Sequence, residues 1–132
     1  MLSALRAILV FGTVSTALHY AHNFVKVDEY PGGFPGETAV QVAIVVAWPA
    51  LTAVGWYGYR LYREGRYYPA HLCLALWSLL GISTLGHFLA GNPDIPAFFY
   101  ATIFTDGLSG LAMLAFVVAS ARSVRSPRPA RA

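Results

Sequence analysis

Four long apolar stretches constrain the fold of this chain more than any other feature of its sequence. A helix needs about 20 consecutive, mostly apolar residues to cross the hydrocarbon core of a bilayer. The four stretches have this length and cover roughly residues 5–24, 39–61, 69–90 and 97–121. The segments between them contain Gly and Pro, which end helices. We therefore predict an all-α membrane protein, a compact four-helix transmembrane bundle that forms one domain over residues 1–121.

The composition agrees with a membrane protein. Of the 132 residues, 57% are hydrophobic and only 11% are charged, whereas soluble domains carry about 25% charged residues. We therefore expect the lipid bilayer to be the main partner of the chain. The net charge of +3 lies mostly in two arginine clusters rather than on one folded face, so no nucleic-acid partner is expected. Arginine outnumbers lysine and alanine is frequent, a bias that favours a bacterial plasma membrane.

The charged residues between the stretches predict the orientation of the chain in the membrane. Cytoplasmic loops carry an excess of Lys and Arg. The loop after the second stretch and the segment after the fourth are rich in arginine, whereas the other two loops are acidic. Both termini are therefore predicted to be cytoplasmic, with residues 122–132 as a basic, disordered cytoplasmic tail. The residues behind this prediction are Arg60, Arg63, Arg66, Arg122, Arg125, Arg128 and Arg131 on the cytoplasmic side, and Lys26, Asp28, Glu29, Glu37 and Asp94 on the outer side.

A cleaved signal peptide is the alternative for the first stretch. The segment "MLSALRAILVFGTVSTA" has a basic start, a short apolar core, and small residues at Ser15 and Ala17 with the spacing that signal peptidase recognises. Cleavage after Ala17 would leave three spans. Against cleavage, the apolar run continues beyond this point, and the polar stripe of the first span crosses it without a break.

Each predicted span carries small and polar residues at helical spacing. Residues three and four apart lie on one helix face. In a bilayer, small residues let helices approach closely, and polar residues turn away from lipid. The four stripes should therefore face one another inside the bundle. They consist of Gly12, Ser15, Thr16, His19, His22 and Asn23 in the first span, Gln41, Trp48, Thr52, Gly55 and Tyr59 in the second, Ser83, Thr84, His87 and Gly91 in the third, and Thr102, Thr105, Asp106, Ser109, Gly110 and Met113 in the fourth.

Three histidines and one aspartate are predicted to share a zone in the outer half of the membrane. His19, His22 and His87 lie near the outer ends of their spans, and a rise of about 1.5 Å per residue puts Asp106 only slightly deeper. Because side chains lean toward the N-terminus of their helix, the histidines lean inward and Asp106 leans outward. An intramembrane carboxylate usually faces a polar interior and marks a functional site. His71, near the cytoplasmic end of the third span, is expected to be an interfacial residue.

Several cofactors or ligands would suit this site. His19, His22, His87 and Asp106 form a ligand set for zinc or iron. A b-type haem would take one histidine of the first span and His87 as its axial ligands. With no cofactor, the same groups could relay protons or hold a polar small molecule. The aromatic residues that could wall such a pocket are Tyr20, Trp77, Phe98, Phe99 and Tyr100.

These patterns indicate a class of function and not one particular reaction. The sequence contains neither a His-Glu-x-x-His motif nor a Cys-x-x-Cys motif, so whether the chain is an enzyme stays open. We predict a small polytopic membrane protein with an outer-leaflet His/Asp site that binds a metal, a haem or a polar small molecule, with redox or proton-linked chemistry. The alternative is a non-catalytic accessory or structural subunit, whose partners would be other membrane subunits or a second copy of this chain.

Overall fold

The computed structural model of the protein describes residues 1–30 and 36–125. Within these ranges the chain is helical and contains no strand, which confirms the predicted all-α class. The helices are α1 (Leu2–Val25), α2 (Glu37–Arg63), α3 (Tyr67–Thr84), the short α4 (His87–Ala90) and α5 (Ala97–Arg125), with a single 3-10 turn at Val27–Glu29 after α1.

Four helical segments are long and apolar enough to cross a membrane, which matches the predicted number of spans. Their bounds are Leu2–Val25, Glu37–Arg63, Tyr67–Leu89 and Ala97–Val124. The third segment runs through the junction of α3 and α4. Helix α5 continues to Arg125, so residues 122–125 of the predicted tail are helical. The remainder of that predicted tail, residues 126–132, lies outside the described residues.

The long helices form a four-helix bundle, as predicted. Helices α1 and α3 lie diagonally opposite each other, and each packs against both α2 and α5. The contact between α3 and α5 is the most extensive, and glycines permit it. The backbone of α5 at Asp106 approaches Gly81 of α3 so closely that a Cβ atom on Gly81 would overlap the Asp106 carbonyl oxygen. Small residues at such a crossing replace side-chain contact with direct backbone contact.

The interior of the bundle differs between its two ends. We call the end at which α1 ends and α2 and α5 begin the acidic end, after Asp28, Glu29, Glu37 and Asp94, and the opposite end the arginine end. The interior toward the arginine end is an apolar core, whereas the interior toward the acidic end is polar. The apolar core is built from Leu5, Leu9, Leu61, Tyr62, Ala70, Leu74, Trp77, Met113 and Phe116.

The predicted stripes of α1 and α5 lie in the interior. In α1 all stripe residues except His22 are buried, and in α5 all except Thr105 are buried. The stripe of α3 is only partly inside, since Thr84 is buried but Ser83 and Gly91 are exposed. In α2 only Gly55 of the predicted stripe is buried. The periodicity therefore identified the inner faces of the first and fourth spans most accurately.

Helix α2 packs tightly over only half of its length. Its buried residues are Gly55, Gly58, Leu61 and Tyr62, which all lie toward the arginine end. Gly55 and Gly58 allow this contact, because a Cβ atom at either position would collide with Trp77 or with Cys73 and Leu74 of α3. The first half of α2 has no buried residue, and a cleft lies between it and helices α1 and α3.

Candidate functional site

A histidine and an aspartate from the first and last spans meet in the polar half of the interior. The Nδ1 atom of His19 lies 3.7 Å from Oδ2 of Asp106, and both side chains are fully buried, with 0% of their surface exposed. His19 projects from α1 and Asp106 from α5, because both belong to the inner stripes of these helices. The structure thus brings these two residues together, as predicted.

Hydroxyl groups one turn away hold this pair in position. Ser15, one turn before His19 on α1, donates a hydrogen bond of 2.5 Å to Oδ1 of Asp106, and its oxygen also lies 2.6 Å from the hydroxyl of Thr105. Thr102 Oγ1 lies 3.3 Å from Nδ1 of His19. Within the described part of the chain, Oδ2 of Asp106 accepts no hydrogen bond. One carboxylate oxygen is therefore fixed by Ser15, and the other is left to face the imidazole.

A second imidazole extends the pair toward the side of the bundle. Nε2 of His19 lies 3.3 Å from Nε2 of His87, the first residue of α4. The side-chain nitrogen of Asn23 also lies 3.3 Å from this atom of His87. Asp106, His19 and His87 therefore form a continuous row, in which the two nitrogens of His19 face different partners. His87 is partly exposed, unlike the other two.

The remaining predicted residue, His22, does not join this row. Its ring stacks on Phe99 at 3.8 Å between centroids, and its Nδ1 lies 2.9 Å from the hydroxyl of Tyr30. Tyr30 is only 6% exposed and covers the site from the acidic end, since its ring lies 4.9 Å from that of His87 and 5.7 Å from that of His19. His22 thus acts on the site through Tyr30, which it holds in place.

The environment of Tyr30 keeps its phenol protonated. Burial, followed by the nearby charges of Glu29 and Asp106, raises the pKa of Tyr30 to about 12. The hydroxyl is protonated at neutral pH, as that of an ordinary tyrosine is, and can donate to Nδ1 of His22; the raised pKa extends this to more alkaline pH. Tyr30 was not among the residues singled out from the sequence. It follows a break in the helix, where helical spacing carries no information, so no pattern in the sequence could have found it.

The geometry gives the metal hypothesis no support. Among residues 1–30 and 36–125, no group of three or more His, Cys, Asp or Glu side chains is placed so that it could hold a metal ion. His22 is engaged with Phe99 and Tyr30, and the other groups next to the row are an amide nitrogen of Asn23 and the hydroxyl of Thr102. The four residues proposed for zinc or iron are therefore near one another without forming a coordination shell.

A haem between His19 and His87 does not fit this arrangement either. The axial ligands of a haem lie on opposite faces of the macrocycle, so the porphyrin would have to lie between the two imidazoles. Their Nε2 atoms are instead in direct contact at 3.3 Å. The space between these two nitrogens is therefore too narrow for a planar macrocycle.

The cleft beside α2 reaches this row at His87. It has a volume of about 500 Å³, within the range of about 300–1,000 Å³ that is typical of small-molecule sites. Of the aromatic residues that were candidates for a pocket wall, only Tyr20 lines it; Trp77 belongs to the apolar core and Phe99 stacks on His22. The residues that line the cleft are Tyr20, Asn23, Ala39, Val40, Ala43, Ile44, Ala47, Leu51, Leu79, Leu80, Ser83, Thr84 and His87.

A second polar cluster lies at the arginine end and has a different character. The hydroxyl of Ser120, which is fully buried, lies 2.9 Å from the hydroxyl of Tyr62 and 2.9 Å from Nε2 of His71. These three residues come from α5, α2 and α3, so the cluster ties three helix ends together. His71, which was expected to be an interfacial residue, has this hydrogen-bond partner inside the protein.

Comparison with protein-family models, curated protein sequences and solved structures gives no match for this chain. The function is therefore argued from the geometry alone.

Proposed function

We propose that this chain is a four-span membrane protein with proton-linked function, in which Asp106, His19 and His87 relay a proton between the bundle interior and the cleft beside α2. The observation that carries the proposal is the placement of His19. One of its nitrogens faces a fully buried carboxyl group, and the other contacts an imidazole that lines the cleft.

The burial of the pair supports a functional role. An isolated charge in an apolar interior is very costly, and intramembrane acids are costly even where a bundle shields them. A purely structural contact between α1 and α5 could be made by hydroxyl groups, as Ser15 and Thr105 already do. Unlike hydroxyl groups, a carboxyl group beside an imidazole has a proton that can move from one group to the other at modest cost.

The relay follows from the chemistry of imidazole. A neutral ring carries a proton on one nitrogen and a lone pair on the other. When Nδ1 of His19 accepts a proton from Oδ2 of Asp106, Asp106 becomes a carboxylate. The ring of His19 can then release the proton on its Nε2 to Nε2 of His87, so that His19 stays neutral. The ring of His87 then passes a proton from its Nδ1 toward the cleft. The 3.7 Å gap between His19 and Asp106 must shorten to hydrogen-bond length for the first transfer.

The same proposal places the bundle in a membrane. The four segments identified above supply the spans, and the positive-inside rule puts the arginine end in the cytoplasm. Arg60, Arg63, Arg66 and Arg122 all lie at that end, which has Glu64 as its acid, whereas the opposite end holds four acids and Lys26. The relay then lies in the outer half of the bilayer of a cell membrane, with both ends of the chain inside.

Infrared difference spectroscopy of the purified protein tests the relay. The pH of the sample is lowered in steps, and the C=O band of a protonated carboxyl group is followed. We expect a band that titrates in the parent protein and is absent in Asp106→Asn. We also expect His19→Ala to shift the midpoint of this band, because the carboxyl group loses its proton partner. His71→Ala is the matched control, since His71 lies in the other polar cluster, and it should leave the band unchanged.

The double variant gives a second readout. Residues that share a partner show non-additive effects, whereas independent residues add. Asp106→Asn combined with His19→Ala should therefore lose little more stability than the worse single variant. A carboxyl band that is absent from the parent, together with additive losses, would contradict the relay. Those results would instead favour the accessory-subunit alternative, with the pair as a packing contact.

A further inference from the structure

The cleft between α1, α2 and α3 has polar groups at one end and apolar walls elsewhere. Three of its hydroxyl groups are already used within the protein. Tyr20 and Ser83 donate to the carbonyl oxygen of Leu80, and Thr84 donates to that of Gly81. These groups offer little to a ligand beyond the apolar surface around them. The hydrogen-bonding capacity of the cleft is therefore concentrated in the other two polar residues, Asn23 and His87.

Asn23 carries an acceptor without a partner. Its side chain is 3% exposed and lines the cleft. Its nitrogen contacts His87, but its Oδ1 atom accepts no hydrogen bond from any of the described residues. A buried acceptor of this kind destabilises the protein when it stays unpaired. His87 adds Nδ1, for which the described chain also supplies no hydrogen bond. The end of the cleft thus presents an acceptor and an imidazole side by side.

The charges and walls of the cleft restrict its occupant further. None of the residues that line it is Asp, Glu, Lys or Arg, so no permanently charged side chain of the wall would balance a charged ligand, and a charge there would be disfavoured. Along α2 the wall is formed by apolar side chains on one side of the helix, namely Ala39, Val40, Ala43, Ile44, Ala47 and Leu51. An extended apolar molecule can lie along such a wall.

We propose that this cleft binds an uncharged, apolar molecule that carries a hydroxyl group, with the hydroxyl donating to Oδ1 of Asn23 and lying against His87. The inference rests on the proposed function only in that His87 serves both. The molecule reaches the cleft from the side, between the loosely packed half of α2 and its neighbours.

Photolabelling of the full-length protein in lipid nanodiscs tests the proposal. The probe is a diazirine analogue of farnesol, and the competitors are farnesol and farnesyl methyl ether, which differ in the hydroxyl donor. Loss of one hydrogen bond to a buried acceptor weakens binding by about tenfold. We therefore expect farnesol to compete about tenfold better than its methyl ether, with labelled peptides from α1, α2 or α3. Asn23→Leu should abolish this preference.

Two further variants separate the cleft from general lipid contact. Ala43→Leu narrows the cleft and should weaken both competitors. Ala53→Leu is the matched control, because Ala53 is exposed on α2 and does not line the cleft; its labelling should equal that of the parent. Equal competition by the two compounds, or labelling that Ala43→Leu leaves unchanged, overturns the proposal. If the carboxyl band of Asp106 still titrates in that case, the relay stands without this ligand. Selective binding of farnesol without a titrating band would instead support the ligand site and refute the relay.

Discussion

The crossing of α3 and α5 should be intolerant of a single methyl group at Gly81. An alanine there would bring its Cβ into the Asp106 carbonyl oxygen, and the same atom would lie 3.1 Å from the backbone nitrogen of Gly110. Neither obstacle is a side chain that can rotate away. The two helices must therefore move apart by roughly 0.5–1 Å. A gap of this size removes about a quarter to a half of the dispersion energy at each contact.

The size of the effect follows from two opposing contributions. Overpacking of a tightly packed interior costs about 1–3 kcal/mol, and here the most extensive helix contact of the bundle is involved. An alanine in a helix interior gains about 1 kcal/mol over glycine from its propensity. Gly107→Ala separates these contributions. Its Cβ would meet only side-chain carbons of Leu85, the nearest at 2.8 Å, and a rotamer change relieves this contact for about 0.5–1.5 kcal/mol.

We therefore expect Gly107→Ala to lie within about 1 kcal/mol of the parent protein, since the propensity gain and the rotamer cost are of similar size. Gly81→Ala should be less stable than Gly107→Ala by at least about 1 kcal/mol. The assay is reversible unfolding in mixed micelles of a mild detergent and sodium dodecyl sulfate, followed by tryptophan fluorescence. If Gly81→Ala proves as stable as Gly107→Ala, the two backbones are not in contact at this crossing, and the position of Asp106 relative to α3 would have to be revised.

Two further predictions concern Tyr30, which covers the site, and the orientation of the chain in the membrane. Burial raises the pKa of Tyr30 from 10.0 to about 12, so the protonated phenol stabilises the folded state relative to the unfolded one. This stabilisation is fully present below pH 10.0, where the phenol of the unfolded chain is also protonated, and it is lost as the pH rises through about 12. The tyrosinate absorbance of the parent minus that of Tyr30→Phe should rise near pH 12, and a rise near the ordinary value would show that Tyr30 does not cover the site. A reporter fused after Ala132 should be cytoplasmic and one at Gly33 should be outside, because arginine is concentrated at one end of the bundle. A C-terminal reporter that is active outside would reverse the proposed orientation.

Much of the site could be predicted from the sequence because helical spacing and helix direction are both local properties. The stripe of the first span placed Ser15 and His19 on one face, and the stripe of the fourth placed Thr102 and Asp106 on another. Four apolar segments with short connections leave few ways to pack, so these two faces meet in the interior. The contact of His19 with Asp106 follows from these constraints, and no particular side-chain conformation had to be guessed.

Other features of the site depend on neighbours that no periodicity specifies. His19 and His22 are three residues apart, and at about 3.6 residues per turn they differ by about 60° around the helix. Which of them points inward is decided by the position of α5, whose Phe99 takes up the ring of His22. Tyr30, which lies beyond the end of α1, was missed for the same reason, since its place over the site is set by the chain after the helix.

The sequence by itself determined the number of long apolar helices, the inner faces of α1 and α5, and the pairing of a histidine with an aspartate, because apolar length and helical spacing follow directly from the order of residues. Only the tertiary structure decided what this pairing can do. It brought Nε2 of His87 to 3.3 Å from Nε2 of His19, so that no haem can lie between these two rings. It also placed His22 against Tyr30, and it left the first half of α2 without buried residues, beside the cleft. These outcomes depend on how closely the helices approach one another, and this spacing is set by packing between segments of different helices, as at Gly55 and Gly81.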